Sequence, residues 1–209
     1  MLLVEGRLQL SASDLMRNLS CRHLTNLDIE VAKGLRKKPV IHDPALEVLA
    51  ERGRLHEKAY LDHLKQEGLT VTEIPGNLVD EEAVAATVAA LRSGVSVVAQ
   101  AAFKSGNWGG RADILLRVEK PSSLGSWSYE VLDTKLAQTT KGGTLMQLCL
   151  YSELLGNVQG VTPEHTYVVT PENGFNKQSY RIADFSAYYR HVKKRFEEFL
   201  AEEKLAKTY

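Results

Sequence analysis

The chain has 209 residues, with a hydrophobic content of 44% and a charged content of 25%, which are typical of a folded globular domain. Its 26 basic and 26 acidic residues give zero net charge, so the chain as a whole provides no electrostatic argument for nucleic acid. No stretch approaches the roughly 20 apolar residues of a membrane span. Two cysteines, Cys21 and Cys149, are too few for a disulfide framework. We therefore predict a cytoplasmic protein without membrane association.

The first part of the chain is predicted to be a helical region covering residues 11–68. Apolar residues recur at helical spacing over 11–34. A second helix is expected to begin after Asp43, a capping residue followed by Pro44, and to continue to about residue 67. The apolar stripe of this second helix, which we expect to be buried, consists of Leu46, Leu49, Gly53, His56, Tyr60 and Leu64.

An α/β core is predicted over residues 69–182, followed by a terminal helix over 183–207. Strands are expected over 69–74, 95–103, 111–118, 129–135, 165–170 and 180–182. Helices are expected over 80–91 and 139–155, the second of them ending at Gly156. This order of elements predicts one domain of α/β class, spanning 1–209, with a mixed central sheet flanked by helices.

The strand predicted over 129–135 carries two opposite charges at its end. Because side chains alternate along a strand, Val131, Asp133 and Lys135 are expected on one face. Charges in a strand flanked by Val and Leu are rare unless they are paired or bind a ligand. An ordinary Asp–Lys pair on a half-exposed strand and a functional site are both compatible with this segment alone.

A second isolated acid, Asp113, enters the preceding strand directly after a glycine-rich turn. If the two strands are neighbours, Asp113 and Asp133 meet at one end of the sheet. Two carboxylates about 4 Å apart repel by roughly 4 kcal/mol at an effective dielectric near 20, and protonation or a bound cation relieves this repulsion. Two carboxylates suit Mg²⁺ or Mn²⁺, and an imidazole from His56 would favour Mn²⁺. Lys135 could then stabilise negative charge developing on a phosphate.

Four short segments occur in an order that resembles the RecB-like branch of the PD-(D/E)XK nuclease superfamily. They cover the region from about residue 11 to 170. They are Gly53-Arg54-Leu55-His56, Gly110-Arg111-Ala112-Asp113, Asp133-Thr134-Lys135 and Gln147-Leu148-Cys149-Leu150-Tyr151. The resemblance implies a restriction-endonuclease-like core and a metal-dependent nuclease that hydrolyses phosphodiester bonds of DNA.

The resemblance also implies a role for each matching residue. Its metal ligands would be His56, Asp113, Asp133 and the main-chain carbonyl of Thr134, with Mg²⁺ or Mn²⁺ as the cofactor. Lys135 would be catalytic, together with the carboxylates. Gln147 and Tyr151 would support the site or contact the DNA.

The expected partner is single-stranded DNA or a duplex end, digested by an exonuclease in DNA repair or processing. Its backbone would be bound by Gln147, Tyr151 and a set of arginines from the helical region, namely Arg17, Arg22, Arg52 and Arg54. A nucleic-acid-binding module of the same fold without hydrolytic activity, and a nuclease directed at RNA, are the two alternatives.

Cys21 carries a further resemblance, to RecB-like exonucleases that hold a 4Fe–4S cluster, such as the CRISPR-associated and AddB-type enzymes. In those proteins one such cysteine joins three more beyond the nuclease core. A cluster would therefore need three further cysteines beyond Tyr209, and we expect this chain to be a piece of a longer protein. A simple buried thiol at Cys21 is the alternative.

Overall fold

The structure, a computed structural model, describes residues 1–40, 42–171 and 174–206. The chain begins with a short antiparallel hairpin that the sequence analysis did not predict. The hairpin and the helices that follow it are β1 (Leu2–Val4), β2 (Arg7–Gln9), α1 (Ala12–Ser20), α2 (Arg22–Ala32) and α3 (Pro44–Gln66).

The remaining elements alternate strands with helices, as the sequence predicted. They are β3 (Val71–Glu73), α4 (Glu81–Ser93), β4 (Val97–Ser105), β5 (Trp108–Val118), β6 (Ser128–Thr134), α5 (Gly142–Gln159), β7 (His165–Thr170), β8 (Asn176–Arg181) and α6 (Ile182–Ala206). The predicted terminal helix over 183–207 thus corresponds to α6, and residue 207 lies outside the described residues.

Strands β3 to β8 form one mixed sheet of six strands, ordered as in the sequence. The pairs β3–β4 and β6–β7 are parallel, and the other neighbours are antiparallel. Each parallel pair is joined by a helix, α4 in the first and α5 in the second, because parallel neighbours need a long crossover. The predicted α/β class, with a mixed sheet flanked by helices, is confirmed.

Helices cover the two faces of the sheet unequally. The larger core lies under α1, α4, α5 and α6, and includes Leu15, Leu91, Leu148 and Phe196. The smaller core joins the last turns of α3, at Tyr60 and Leu64, to Ile114 and Leu132 of the sheet. Val131 belongs to the larger core and Leu132 to the smaller one, so alternation directs Asp133 towards the α5 side.

Helix α3 begins where the sequence predicted. The Asp43 carboxylate accepts a hydrogen bond from the main-chain N–H of Ala45 at 2.9 Å, and Pro44 occupies the first turn. The predicted burial of the whole apolar stripe is wrong for its first half, because Leu46 and Leu49 are 57% and 54% exposed. Only the second half of α3 packs on the sheet.

Two predicted helix boundaries are wrong. The helix predicted over 11–34 is broken at Cys21, whose backbone is extended, and the side chain of Asn18 bonds across the break to the Thr25 hydroxyl at 3.0 Å. The helix predicted to end at Gly156 continues to Gln159 and ends at Gly160, whose φ is 71°. Gly156 lies inside the helix, and a Cβ there would make only an ordinary contact, 3.5 Å from Cα of Thr162.

Across the residues that the structure describes, no helix combines the length and apolar character needed to cross a membrane.

Candidate active site

The candidate site lies at the end of β6 that leads towards α5, beside the middle of β5. Ile114 pairs with Leu132 in the antiparallel ladder, and one further step in the same register places Asp113 opposite Asp133. Residues opposite each other in an antiparallel pair have Cβ atoms about 4.5–5.5 Å apart. The fold therefore brings the two strand carboxylates together, although 20 residues separate them in the chain.

Asp133 is a buried carboxylate without regular hydrogen bonds. Its side chain is 4% exposed, and neither of its oxygens has a hydrogen bond of regular geometry to the described residues. Lys135 forms an ion pair with it, with Nζ 2.6 Å from Oδ2. The Lys135 side chain is 34% exposed, so the ammonium connects the buried acid with the surface. A buried carboxylate in this condition needs a further positive charge or donor.

Glu130, on the same strand, is a buried acid whose carboxylate is hydrogen-bonded within the fold. Its carboxylate accepts hydrogen bonds from the main-chain N–H groups of Glu164 and His165, at 3.2 and 2.9 Å, and from the Tyr167 hydroxyl at 2.7 Å. The Glu130 carboxylate thus accepts three hydrogen bonds, whereas the Asp133 carboxylate accepts none of regular geometry from the described residues. The two buried acids of β6 therefore differ in how their charges are compensated.

Asp113 has a strongly perturbed acidity. Burial is the main cause that raises its pKa well above the ordinary value, followed by hydrogen bonding to Asp133 and by the negative charges of Asp133 and Glu57. The positive charge of Lys135 acts in the opposite direction. Without a further cation, the pair Asp113–Asp133 therefore tends to retain a proton that two isolated carboxylates would lose.

Two residues of this site, Gln100 and Glu57, were missed by the sequence analysis. Gln100 lies in β4 at the position that the register places opposite Asp113, and its side chain donates to Glu57 Oε1 at 2.5 Å. Glu57 follows His56 on α3, and this adjacency was its only signal in the sequence. Gln100 had no signal at all, since its position depends on strand pairing.

His56 occupies the neighbouring end of the sheet. Its Nε2 lies 3.4 Å from the Val169 carbonyl, which also accepts the main-chain N–H of Lys135 at 2.9 Å. Thr134, whose carbonyl is a predicted metal ligand, pairs with Val169 in the β6–β7 ladder. The Val169 carbonyl thus contacts both the His56 ring and the backbone of Lys135. The ring nitrogen of His56 is directed at this main-chain atom of β7.

The ring of His56 belongs to a stack along α3. Phe175 lies between His56 and His63, with ring centroids 5.7 and 5.2 Å away and interplanar angles of 26° and 21°. Tyr60 flanks the same ring at 5.3 Å. This packing fixes the plane of the His56 imidazole and ties the segment before β8 to α3.

Tyr151 and Gln147 lie one turn apart on α5 and reach the carboxylate pair from the larger core. Burial raises the pKa of Tyr151 to about 12, the charges of Asp113 and Asp133 add to this effect, and a hydrogen bond with Gln147 opposes it. The Tyr151 ring rests on the backbone of Gly110, where a Cβ would lie 2.7 Å from Cε1. The glycine and the tyrosine of two separate motifs are therefore parts of one packing contact.

The four predicted DNA-binding arginines lie on the three helices α1, α2 and α3. Two of them are held by acids, Arg17 by Asp28 at 3.1 Å and Arg54 by Glu51. Arg52 is exposed on the half of α3 that projects from the sheet. Arg22 lies at a cleft of about 370 Å³ between the α1–α2 junction and α6, whose other lining residues include Tyr188, His191 and Arg195.

The two cysteines lie in different environments. Cys21 is exposed at the junction between α1 and α2 and lines the same cleft as Arg22, so a buried thiol at this position is wrong. Cys149 is buried in α5, and burial raises the pKa of its thiol to about 11. Cys149 therefore has the character of a core residue, as expected from its place between Gln147 and Tyr151.

Within residues 1–40, 42–171 and 174–206, no group of three or more His, Cys, Asp or Glu side chains has the arrangement of a complete metal site. The donors at the candidate site are the carboxylate pair, the exposed lysine and nearby oxygen atoms. Mg²⁺ is commonly bound by one or two carboxylates, while substrate phosphates and water supply the remaining ligands. The carboxylate pair, in which Oδ1 of Asp133 accepts no regular hydrogen bond from the described residues, would fit such an ion.

No protein-family model matches the chain, and no curated protein matches it in sequence.

Proposed function

We propose that the chain is a metal-dependent deoxyribonuclease with a restriction-endonuclease-like core. The observation that carries the proposal is the facing pair Asp113 and Asp133, with Lys135 Nζ 2.6 Å from the buried Asp133 carboxylate. An acid pair with an adjoining lysine suits the hydrolysis of a phosphodiester. The carboxylates bind a divalent cation, and the lysine stabilises charge on the phosphate.

The residues that would hold Mg²⁺ or Mn²⁺ are Asp113 and Asp133, joined by the Thr134 carbonyl and, after its ring turns from Val169, by His56. The ion supplies Lewis-acid polarisation of the phosphoryl group and increases the acidity of water. Oδ1 of Asp133 supports this assignment, because it is buried and accepts no regular hydrogen bond from the described residues.

Lys135 has two properties that suit a catalytic ammonium. Its main-chain N–H is fixed by Val169 at 2.9 Å, and its side chain is anchored on Asp133 while remaining 34% exposed. The Nζ can therefore approach a scissile phosphate from the surface without leaving the carboxylate. There it would hold the attacking water or oppose negative charge as it develops on the phosphate oxygens.

Tyr151 and Gln147 are positioning residues in this mechanism. Their contact with each other, and the packing of Tyr151 on Gly110, fixes the start of β5 just before Asp113. The Tyr151 hydroxyl, like any phenol, keeps its proton at neutral pH and can donate to a carboxylate or phosphate oxygen.

Parallel assays on labelled single-stranded DNA, duplex DNA and RNA, with Mg²⁺ or Mn²⁺, test the proposal. We expect metal-dependent cleavage of DNA that is lost in Lys135→Ala. Binding of DNA without any cleavage would favour the alternative of a binding module, and cleavage of RNA alone would favour the RNA-directed alternative.

A 4Fe–4S cluster at Cys21 stays part of the proposal only for a longer protein that supplies three further cysteines. The exposed position of Cys21 is compatible with such a ligand. Iron and sulfide analysis of a chain extended beyond Tyr209 would test it.

A further inference from the structure

A buried hydroxyl without a hydrogen-bond partner lies on the strand next to the candidate site. Thr170 is the last residue of β7, and its side chain is fully buried, at 0% exposed. Its Oγ1 has no hydrogen bond to any of the residues that the structure describes. An unpaired buried polar group lowers the stability of the fold, so each such group needs an explanation.

Strand pairing places Thr170 beside Lys135. Thr134 pairs with Val169 in the parallel β6–β7 ladder, and the Val169 carbonyl accepts the main-chain N–H of Lys135 at 2.9 Å. Thr170 follows Val169 directly, so it continues β7 at the level of Lys135. Neighbouring strands lie about 4.8 Å apart, which is shorter than the reach of a lysine side chain.

Thr170 also lies on the face of the sheet that carries Asp133. Val168 belongs to the larger core, and side-chain alternation directs Thr170, two residues later, to the same side. Asp133 pairs with Val168, and Lys135 reaches this side as well, because its Nζ lies 2.6 Å from Oδ2 of Asp133. An acid, an ammonium and an unpaired hydroxyl therefore lie at the same end of two adjacent strands.

Thr166, on the same strand and the same face, provides a comparison. It is 1% exposed, and its hydroxyl donates to the Val131 carbonyl at 2.8 Å, so this hydroxyl is hydrogen-bonded within the fold. The Thr170 hydroxyl has no such partner among the described residues. A valine would occupy the same space as Thr170 without an unpaired polar atom, so packing alone does not explain the hydroxyl.

The Lys135 ammonium has donors available for this hydroxyl. An ammonium carries three N–H donors, and a threonine hydroxyl has two acceptor lone pairs. In this structure the ammonium forms an ion pair with Asp133, and the lysine side chain is 34% exposed. The flexible four-carbon side chain can change its conformation while Nζ keeps its contact with the carboxylate.

We propose that Thr170 is a positioning residue, whose hydroxyl accepts a hydrogen bond from the Lys135 ammonium when a phosphodiester is bound. The ammonium, held by Asp133 and Thr170, then presents its third N–H to the phosphate oxygens. This inference rests on the proposed function, because it assigns a further residue to the same site. It leaves the proposed metal ligands unchanged.

The test uses Thr170→Val, which removes the hydroxyl and keeps the branched shape of the side chain. In EDTA and without nucleic acid, this variant should melt about 2–4 °C above the wild type, because an unpaired buried hydroxyl is lost. With Mg²⁺ or Mn²⁺, it should cleave DNA about tenfold more slowly, which corresponds to the loss of one hydrogen bond to a charged group. A residue that only supports the fold would not yield a variant that is both more stable and slower.

Two further variants serve as controls. Thr166→Val removes a hydroxyl that is hydrogen-bonded within the fold, so it should lower the melting temperature and leave the cleavage rate of the folded protein unchanged. Thr170→Ser keeps the hydroxyl, so it should cleave DNA at close to the wild-type rate. An equal loss of cleavage in Thr170→Ser and Thr170→Val would assign the effect to packing and overturn the inference.

A double-mutant cycle tests whether Thr170 acts through Lys135. Adding Thr170→Val to Lys135→Ala should slow cleavage no further than Lys135→Ala alone. Losses that multiply, a wild-type cleavage rate in Thr170→Val, or a lower melting temperature of that variant in EDTA would overturn the inference and leave the proposed nuclease intact. A wild-type chain that cleaves no DNA would overturn the proposed function and this inference with it.

Discussion

Replacing Asp113 by Asn should stabilise the metal-free protein. Asp113 and Asp133 face each other across β5 and β6, whereas the ion pair with Lys135 belongs to Asp133. The substitution therefore removes the repulsion and retains the ion pair. Two negative charges about 5 Å apart repel by roughly 3 kcal/mol at an effective dielectric near 20.

The measured gain should be smaller than this repulsion. Lys135 partly neutralises the pair, and the raised pKa of Asp113 means that the carboxyl can escape repulsion by keeping a proton. The amide of Asn can in addition donate to Asp133, whose oxygens have no regular hydrogen bond to the described residues. We expect a gain of about 1–2 kcal/mol in the free energy of unfolding, or roughly 3–6 °C in melting temperature for a domain of this size.

The assay is thermal unfolding followed by circular dichroism, first in EDTA and then with increasing MnCl₂. Asp113→Asn should melt above the wild type in EDTA and should lose most of the stabilisation by Mn²⁺. Asp62→Asn, on the exposed face of α3 and paired with Lys65 at 3.7 Å, is the matched control and should leave both values unchanged. A lower melting temperature in EDTA, or a full Mn²⁺ shift in Asp113→Asn, would refute the reasoning from facing carboxylates.

Three further predictions follow from the same geometry. Lys135→Ala should lower the rate of DNA cleavage by about a hundredfold or more while changing Mn²⁺ affinity by only a few fold, and equal losses of both would show that the lysine acts through the metal site. Gly110→Ala should reduce both the free energy of unfolding and the rate of cleavage, because the new Cβ would lie 2.7 Å from Tyr151. Gly142→Ala, whose Cβ would have no atom within 4 Å, is the control and should reduce neither. Denaturant unfolding and cleavage rates of the two variants test this prediction. In EDTA, the stability of the wild type relative to Asp113→Asn should fall as pH rises above about 4, because the unfolded chain releases the Asp113 proton at its ordinary pKa while the folded chain retains it to a higher pH. Thermal unfolding of both proteins across pH measures this difference, and a difference that does not change with pH would contradict it.

Local signals in the sequence were sufficient for most of the secondary structure. Asp43 followed by Pro44 located the start of α3, and the segment 165–170 was predicted with the bounds that β7 has in the structure. Such features depend on neighbouring residues, through capping, fixed proline geometry and side-chain alternation. They can therefore be read without knowledge of the fold.

Boundaries that depend on distant residues were not predictable in this way. The helix α5 continues through Gly156 and ends at Gly160, which was not predicted because a glycine inside a helix and a glycine that ends one look alike in a sequence. The first half of α3 has an apolar stripe but projects from the sheet, with Leu46 and Leu49 exposed. Periodicity indicates which face is apolar, but only the tertiary structure decides whether anything covers it.

The sequence by itself determined the types of chemical group available: two strand acids, a lysine two residues after one of them, and a histidine, a glutamine and a tyrosine on helices. The tertiary structure decided how these groups meet. Strand register placed Asp113 opposite Asp133, stacking on Phe175 held His56 towards Val169, and a hydrogen bond joined Gln100 of β4 to Glu57 of α3. The physical reason is that alternation along a strand is a local property, whereas register and helix packing follow from the burial of the whole core.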